Sequence, residues 1–234
     1  MNRKLALSVS AIVAILSLAS CQKGLNTVYY RAGLTKVDVS GERFSLVSDD
    51  SIRIIPTNRQ SEIDRLPANT RLIGEFTIPS GEITDPMEVE FVNLFQMLSD
   101  TIKVSGDVDT LGIDKLAMLS MWQSGGIHGA ARFLNISFVI FHGQSNISHS
   151  ICLADDTSLK ENPDAEGYYH LTLRHKANKD PELYFADATY SFLLDGKYTA
   201  EGIKGLKISF QDFTSEEKIP LNTKTIESPA VIKF

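Results

Sequence analysis

The sequence predicts an all-β protein built as a small barrel of the OB type followed by a β-sandwich, and three observations carry that expectation. Apolar and polar residues alternate in short runs, the period of a strand with one buried face. Clusters of Gly, Pro, Asn, Asp and Ser separate those runs as turn signals. The C-terminal half holds no helical stripe of useful length. Of 234 residues, 43% are hydrophobic and 22% charged, an ordinary mix for folded protein.

The first element precedes the fold. Met1-Asn2-Arg3-Lys4 is a short basic start, Leu5 to Leu18 an apolar run, and Leu18-Ala19-Ser20-Cys21 ends it, which together read as a secretory signal. The run has 14 residues, short of the ~20 that a membrane-spanning helix needs. Leu-Ala-Ser ahead of Cys21 resembles the bacterial lipobox, in which the chain is cut before the cysteine and the cysteine carries lipid. Residues 1–20 are therefore expected to be a lipoprotein signal peptide, and residues 21–35 the lipidated Cys21 and a tether. Acyl chains hold by ~0.8 kcal/mol per buried CH₂, and stable anchoring takes at least two of them.

Without residues 1–20 the chain carries 29 acids against 21 bases, net −8. That balance argues against nucleic acid, whose binding rests on Lys and Arg neutralising phosphate, and against adsorption to anionic headgroups. The membrane is thus expected to be reached through the lipid on Cys21.

Residues 36–106 are assigned to the barrel. Arg43–Val47 and Ser51–Pro56 flank Ser48-Asp49-Asp50, a hairpin signal. Asn58 to Asn69 is polar with room for a short helix, Thr70–Ile78 is a strand, and Met87–Leu98 is read as another because Glu88 and Glu90 alternate with apolar residues. About five short strands match the OB-type barrel. The polar, glycine-bearing Gly106–Gly112 region supplies the expected linker, residues 107–112.

Residues 113–234 are assigned to the sandwich. Leu134, Ile136, Phe138 and Ile140 share one face of a long strand, with Asn135 and Ser137 on the other. Tyr169/Leu171/Leu173, Tyr190/Phe192/Leu194 and Leu206/Ile208/Phe210 repeat the pattern. Ser148–Leu153, a piece near Leu116–Trp122 and the closing Ala230–Phe234 bring the expected total to about seven strands.

Several of these stretches together resemble the NigD-like lipoproteins of anaerobic Gram-negative bacteria. The matching features are the lipobox ending in Cys21, the hairpin with Asp49-Asp50, and the strand Thr70-Arg71-Leu72-Ile73. Trp122-Gln123-Ser124-Gly125-Gly126 follows, then Arg132 to Phe138, and last Leu173 to Asp180, with Lys176 departing from an expected Asn. The resemblance implies an N-terminal OB-like barrel and a C-terminal immunoglobulin-like sandwich. It brings no settled activity, although the family name is associated with a bacteriocin gene cluster.

No Gly-x-Ser-x-Gly elbow, His-Glu-x-x-His helix, P-loop or Gly-x-Gly-x-x-Gly turn occurs in the sequence. Ser215-Glu216-Glu217-Lys218 matches Ser-x-x-Lys without the companion motifs of that site. Asp107, Asp109 and the Asp155-Asp156 pair read as solvated turn acids, since Leu111 and Met118 stand where a calcium loop needs oxygen ligands. His142 and His149 bracket an expected hairpin at Gly143-Gln144-Ser145-Asn146 and would face each other across it, but zinc needs three or four ligands. His175 is expected to make a structural hydrogen bond and Cys152 to be a buried small hydrophobe.

No catalytic, cofactor or metal residue is therefore expected. Trp122, Tyr168, Tyr184 and Phe185 are candidate sugar-stacking aromatics, although core packing explains an aromatic in a sandwich more often than a ligand does, and Trp122 in particular is suited to pin the seam between modules. Asp109-Thr110-Leu111 resembles the sites that receive O-glycans in exported proteins of this bacterial group, with Thr110 as acceptor. Gln22 replaces the Asp that retains lipoproteins in the inner membrane, and residues 22–26 lack the acidic cluster of surface export. The expectation is an outer-membrane lipoprotein facing the periplasm, non-enzymatic, presenting a binding or scaffold surface to an envelope protein or glycan. The alternatives are a glycan hydrolase whose acids, such as Glu182 and Asp187, meet only in the fold, and an immunity or inhibitor protein against a secreted toxin. The oligomeric state cannot be read from the sequence.

Overall fold

In the computed structural model the described residues are 28–144, 146–213 and 222–227. The signal peptide, Cys21, Ser215–Lys218 and the expected strand Ala230–Phe234 lie outside them.

Five strands close the barrel: β1 (Tyr30–Lys36), β2 (Leu46–Ser48), β3 (Arg53–Pro56), β4 (Arg71–Thr77) and β5 (Met87–Gln96), in the order β1-β2-β3-β5-β4 with β4 returning to β1. A one-turn helix, α1 (Gln60–Ile63), joins β3 to β4. Leu34, Leu46, Ile54, Leu72, Phe76, Val89 and Phe91 fill the interior, and Ile63 of α1 plugs one end. The barrel is tight enough to demand glycine at position 74, where a Cβ would stand 2.6 Å from the Phe91 ring and 2.7 Å from Leu34. Closure leaves no free sheet edge, which is how so small a module is stable.

The next strands leave the barrel. β6 (Leu98–Thr101) and β7 (Lys103–Ser105) open the sandwich, and a 3₁₀ turn (Val108–Leu111) follows. Then come β8 (Ala117–Ser124), β9 (Phe133–His142), β10 (Ser150–Asp156), β11 (Tyr168–Lys176), β12 (Tyr184–Leu193), β13 (Gly205–Phe210) and β14 (Asn222–Glu227). One sheet runs β14-β13-β11-β10-β7 and the other β6-β12-β9-β8. Leu134, Ile136 and Phe138 of β9 meet Leu171 and Leu173 of β11, with Phe192, Ile208 and Phe210, in one buried core. The all-β architecture, OB-like barrel then immunoglobulin-like sandwich, is the expected one.

The element boundaries differ from those read in the sequence. Residues 30–35, expected in the tether, join Lys36 in the first barrel strand; Gly33 hides the period because a side chain there would collide with the Asp49 carboxylate. Residues 98–105, expected in the barrel, pair in parallel with β12 and β10 of the sandwich. The expected linker is an ordered turn. Asp107 caps it by accepting from the Asp109 amide, Val108 is buried, and Arg174 reaches the Asp109 carboxylate at 2.5 Å. Among the described residues the sandwich has nine strands rather than about seven.

Candidate functional site

The largest constellation of buried polar groups lies where the barrel meets the sandwich. On β4, Leu72 and Phe76 point inward, so Arg71 at the strand start points out of the barrel, yet its side chain is 0% exposed because the sandwich covers it. Its guanidinium meets Asp49 Oδ1 at 2.8 Å as an ion pair and donates to Thr35 Oγ1 at 2.7 Å, both from the barrel. From the sandwich, Ser191 Oγ accepts at 3.1 Å and Asn135 Oδ1 at 3.1 Å, while the Phe133 ring lies 5.2 Å away under the cation. Trp122 Nε1 donates to the other oxygen of Asp49 at 2.8 Å, and Asn135 Nδ2 donates to Ser124 Oγ at 2.9 Å. A buried charge needs such pairing to persist at all. The arrangement fastens two modules and leaves no activated nucleophile.

Beside it lies a partly open pocket of roughly 130 Å³ lined by Asp49, Ser51, Gln123, Ser124, Gly125 and Arg132. Pockets that enclose a cofactor or drug-sized molecule start at ~300 Å³, so this one is too small for such a ligand.

The barrel surface that serves OB-folds for oligonucleotides and oligosaccharides, the face of strands 2 and 3, is covered. Val37, Phe44 and Val47 pack with Ala130 of the β8–β9 connection, with Val39 and Ile55 at the rim. Phe44 meets the His128 ring edge-on, and the Ala131 amide donates to Asn69 Oδ1 at 2.8 Å. The sandwich supplies its own occupant for this face.

A second polar cluster sits at one end of the sandwich. β9 and β10 belong to different sheets, so the hairpin expected between them does not form and His142 does not face His149. His142 lies against Tyr184 on β12. His149 instead bonds His175 (Nδ1 to Nε2, 2.9 Å) and Asp180 (Nε2 to Oδ2, 3.0 Å), and His175 Nδ1 reaches the Lys115 carbonyl at 2.9 Å. Burial pushes the His175 imidazole below its ordinary pKa. Burial opposes ionisation of Asp180, but the amides of Gly143 and Gln144 and His149 outweigh it and hold the carboxyl below the carboxylate range. Both nitrogens of each ring are occupied, which leaves neither histidine a lone pair for general-base work. No group of three or more metal-ligating side chains is assembled among the described residues.

Asp155, expected as a solvated turn acid, is instead buried. It accepts from Tyr169 Oη at 3.0 Å, Tyr198 Oη at 3.2 Å and Lys197 Nζ at 2.6 Å. Asp156 caps its own turn through Ser158. Cys152 is buried opposite Arg174, and burial pushes its thiol up. Thr110 is exposed, its hydroxyl donating to the Asp107 carbonyl at 2.8 Å. Of the four candidate aromatics, Trp122 is in the seam and Tyr168 lies under Lys207, 4.8 Å from its ring. Tyr184 and Phe185 are 61% and 66% exposed, and Leu183 before them 64%. Phe185 packs tilted against Phe141, ring centroids 4.4 Å apart, and Phe141 against Phe213 at 4.7 Å. Glu182 precedes β12 and Asp187 is within it, both exposed, with extended strand carrying them apart.

The model of the NigD-like C-terminal β-sandwich domain matches residues 100–223 of the chain. No curated protein matches it. Similar crystal structures include a protein of unknown function, DUF1344, from Bacteroides vulgatus, at 18% identity and a TM-score of 0.68 over 87% of this chain and 92% of that one. A NigD-like immunity protein from Bacteroides caccae is similar at 18% identity and TM-score 0.55, over 87% and 94%. A Bacteroides fragilis protein provisionally termed a lipoprotein is similar at 12% and 0.57, over 86% and 97%. At such identities the likeness speaks to the fold.

Proposed function

The chain belongs to the NigD-like C-terminal β-sandwich family, and from that premise we propose that it is a lipid-anchored envelope protein, not an enzyme, that offers a contact surface to a protein partner. The observation that carries the reading is Leu183-Tyr184-Phe185, three consecutive large apolar residues each more than 60% exposed. Exposed apolar surface marks contact sites and aromatic residues dominate protein interfaces; here Phe185 continues into Phe141 and Phe213 on one face, while Tyr184 lies with His142 on the other. The polar clusters that could have hosted chemistry are closed on themselves, and the OB face is filled from within. The anchor at Cys21 and an outer-membrane, periplasm-facing position rest on the lipobox and on Gln22, with the lipoprotein neighbour in support.

The similar NigD-like immunity protein favours one second reading, in which the partner is a secreted toxin. A photoreactive phenylalanine at position 185, introduced in the native host, tests the proposal. A discrete protein adduct is expected, absent when the same probe replaces the equally exposed Ile83 of the barrel. No adduct, an adduct lost on glycosidase treatment, or equal capture at both positions refutes the protein-partner reading.

A further inference from the structure

The His149–His175–Asp180 cluster poses a problem of proton counting. A carbonyl only accepts hydrogen bonds, so His175 Nδ1, 2.9 Å from the Lys115 carbonyl, carries a hydrogen. Asp180 is an acceptor on both oxygens. Oδ2 takes the Gly143 amide at 2.8 Å and Oδ1 the Gln144 amide at 2.8 Å. His149 Nε2, 3.0 Å from Oδ2, must therefore donate as well. That leaves His149 Nδ1 and His175 Nε2 facing each other at 2.9 Å, and one of them must donate. The ring centroids, 5.1 Å apart with planes 24° from parallel, fit two rings meeting edge to edge along that bond. Two neutral imidazoles supply two ring hydrogens, and the three contacts need three.

We propose that this cluster binds one extra proton, carried as an imidazolium on His149, and that the proton latches the β9–β10 turn to the segment entering β12. Water cannot substitute for it, because the side chains of His149 and Asp180 are 10% and 0% exposed and His175 is 2% exposed. The assignment to His149 follows from its neighbours. Asp180, on the segment before β12, lies against its outer nitrogen, whereas His175 points its outer nitrogen at a neutral carbonyl. Burial and His149 itself both disfavour charge on His175. Asp114, from the segment before β8, is the remaining acid beside His175, and its carboxylate is already engaged by the Ala177 amide at 2.6 Å. The β9–β10 turn faces the cluster with the backbone amides of Gly143 and Gln144.

Losing the proton sets two lone pairs against each other at 2.9 Å, or His149 against the Asp180 carboxylate. Either way a bond of the chain breaks, and Asp180, whose carboxylate receives the Gly143 and Gln144 amides, loses the imidazolium charge that holds it in place. The Leu183 amide bonds the His142 carbonyl at 3.2 Å, immediately before that turn. A deprotonated latch thus loosens the support of Leu183, Tyr184 and Phe185. The consequence for partner binding rests on the function proposed above; the latch rests on its own geometry.

Two measurements on the full mature chain in detergent micelles test it. Imidazole nitrogen NMR should show, near neutral pH, one ring protonated on both nitrogens and one neutral ring protonated on Nδ1. Hydrogen exchange at the Gly143 and Gln144 amides, corrected for intrinsic rates, should lose protection tenfold or more between pH 5.5 and 8.5. In His149→Gln the protection should be independent of pH over that range. Two neutral rings while both amides stay protected would overturn the proposal, as would an identical pH profile in His149→Gln. Neither readout depends on a binding partner, so failure of the latch and failure of the proposed function are separable.

Discussion

Removing the Asp49 carboxylate isolates the energetics of the seam. In Asp49→Ala the guanidinium of Arg71, with a side chain 0% exposed, keeps only neutral partners in Thr35, Asn135 and Ser191. Breaking a buried pair by deleting one partner costs about 3–5 kcal/mol. Trp122 Nε1 also loses its acceptor, which adds about 1 kcal/mol. The expected loss is about 4–6 kcal/mol, a large share of the 5–15 kcal/mol that holds most domains. Asp49→Ala combined with Arg71→Met removes the orphaned charge. Ser191 Oγ then still donates to Asn135 Oδ1 at 2.6 Å, so the polar remainder is partly satisfied. The double variant should therefore be more stable than Asp49→Ala by about 2–3 kcal/mol, a non-additivity of the kind that double-mutant cycles detect. Urea unfolding measures it, and the molecule carries its own probe: Trp122 is the only tryptophan and sits in the seam. A double variant no more stable than Asp49→Ala, or effects that simply add, would refute the view that charge compensation holds the two modules together.

Three further outcomes follow from the site descriptions. Cys21→Ala should shift the chain from the membrane to the soluble fraction on cell fractionation, and retention in the membrane would remove the lipid anchor. Lys207 and His170, with the Tyr168 amide, hold the Asp164 carboxyl well below the carboxylate range. A depressed folded pKa gives stability that is complete above the unfolded value, near 4, and lost as pH falls through the folded one. Thermal unfolding should show a smaller loss on acidification below about pH 4 in Asp164→Asn than in the parent chain, and equal losses would contradict this. The Cys152 thiol, buried and raised in pKa, should be alkylated only as fast as the sandwich opens, so rapid labelling under native conditions would place it elsewhere.

The barrel illustrates why fold analogy alone misleads about function. An OB-type barrel invites a search for a ligand on strands 2 and 3, and the acidic balance of residues 36–106, 7 bases to 12 acids, already disfavours nucleic acid. The structure gives the stronger reason. Val47 and Ile55 point outward from β2 and β3, but Ala130 and the ring of His128 lie over that face. Burying these apolar groups contributes about 25 cal/mol per Å², a gain that any ligand for the face would have to replace. The proposed contact surface lies instead on the sandwich, where β12 begins with its apolar residues in solvent.

Alternation made most strands legible because a strand with one buried face writes its period into the residues. Leu134, Ile136 and Phe138 read as core and are core, and Asn135 read as the opposite face and is on it. What alternation cannot say is what stands against that opposite face. Asn135 is fully buried because the barrel brings Arg71 to it from 64 residues away, and Ser191 meets the same guanidinium from 120 away. A lone Arg at the start of an apolar strand was the one available signal, and charge on a barrel exterior ordinarily means solvent. The histidines failed for a related reason. Their spacing suggested a hairpin, but the short β9–β10 connection changes sheets, so His149 found its partners on β11 and before β12 instead. Local pattern fixes which face a residue takes. Only sheet order decides its neighbour, and in this protein both polar clusters are made of residues whose neighbours come from sheet order.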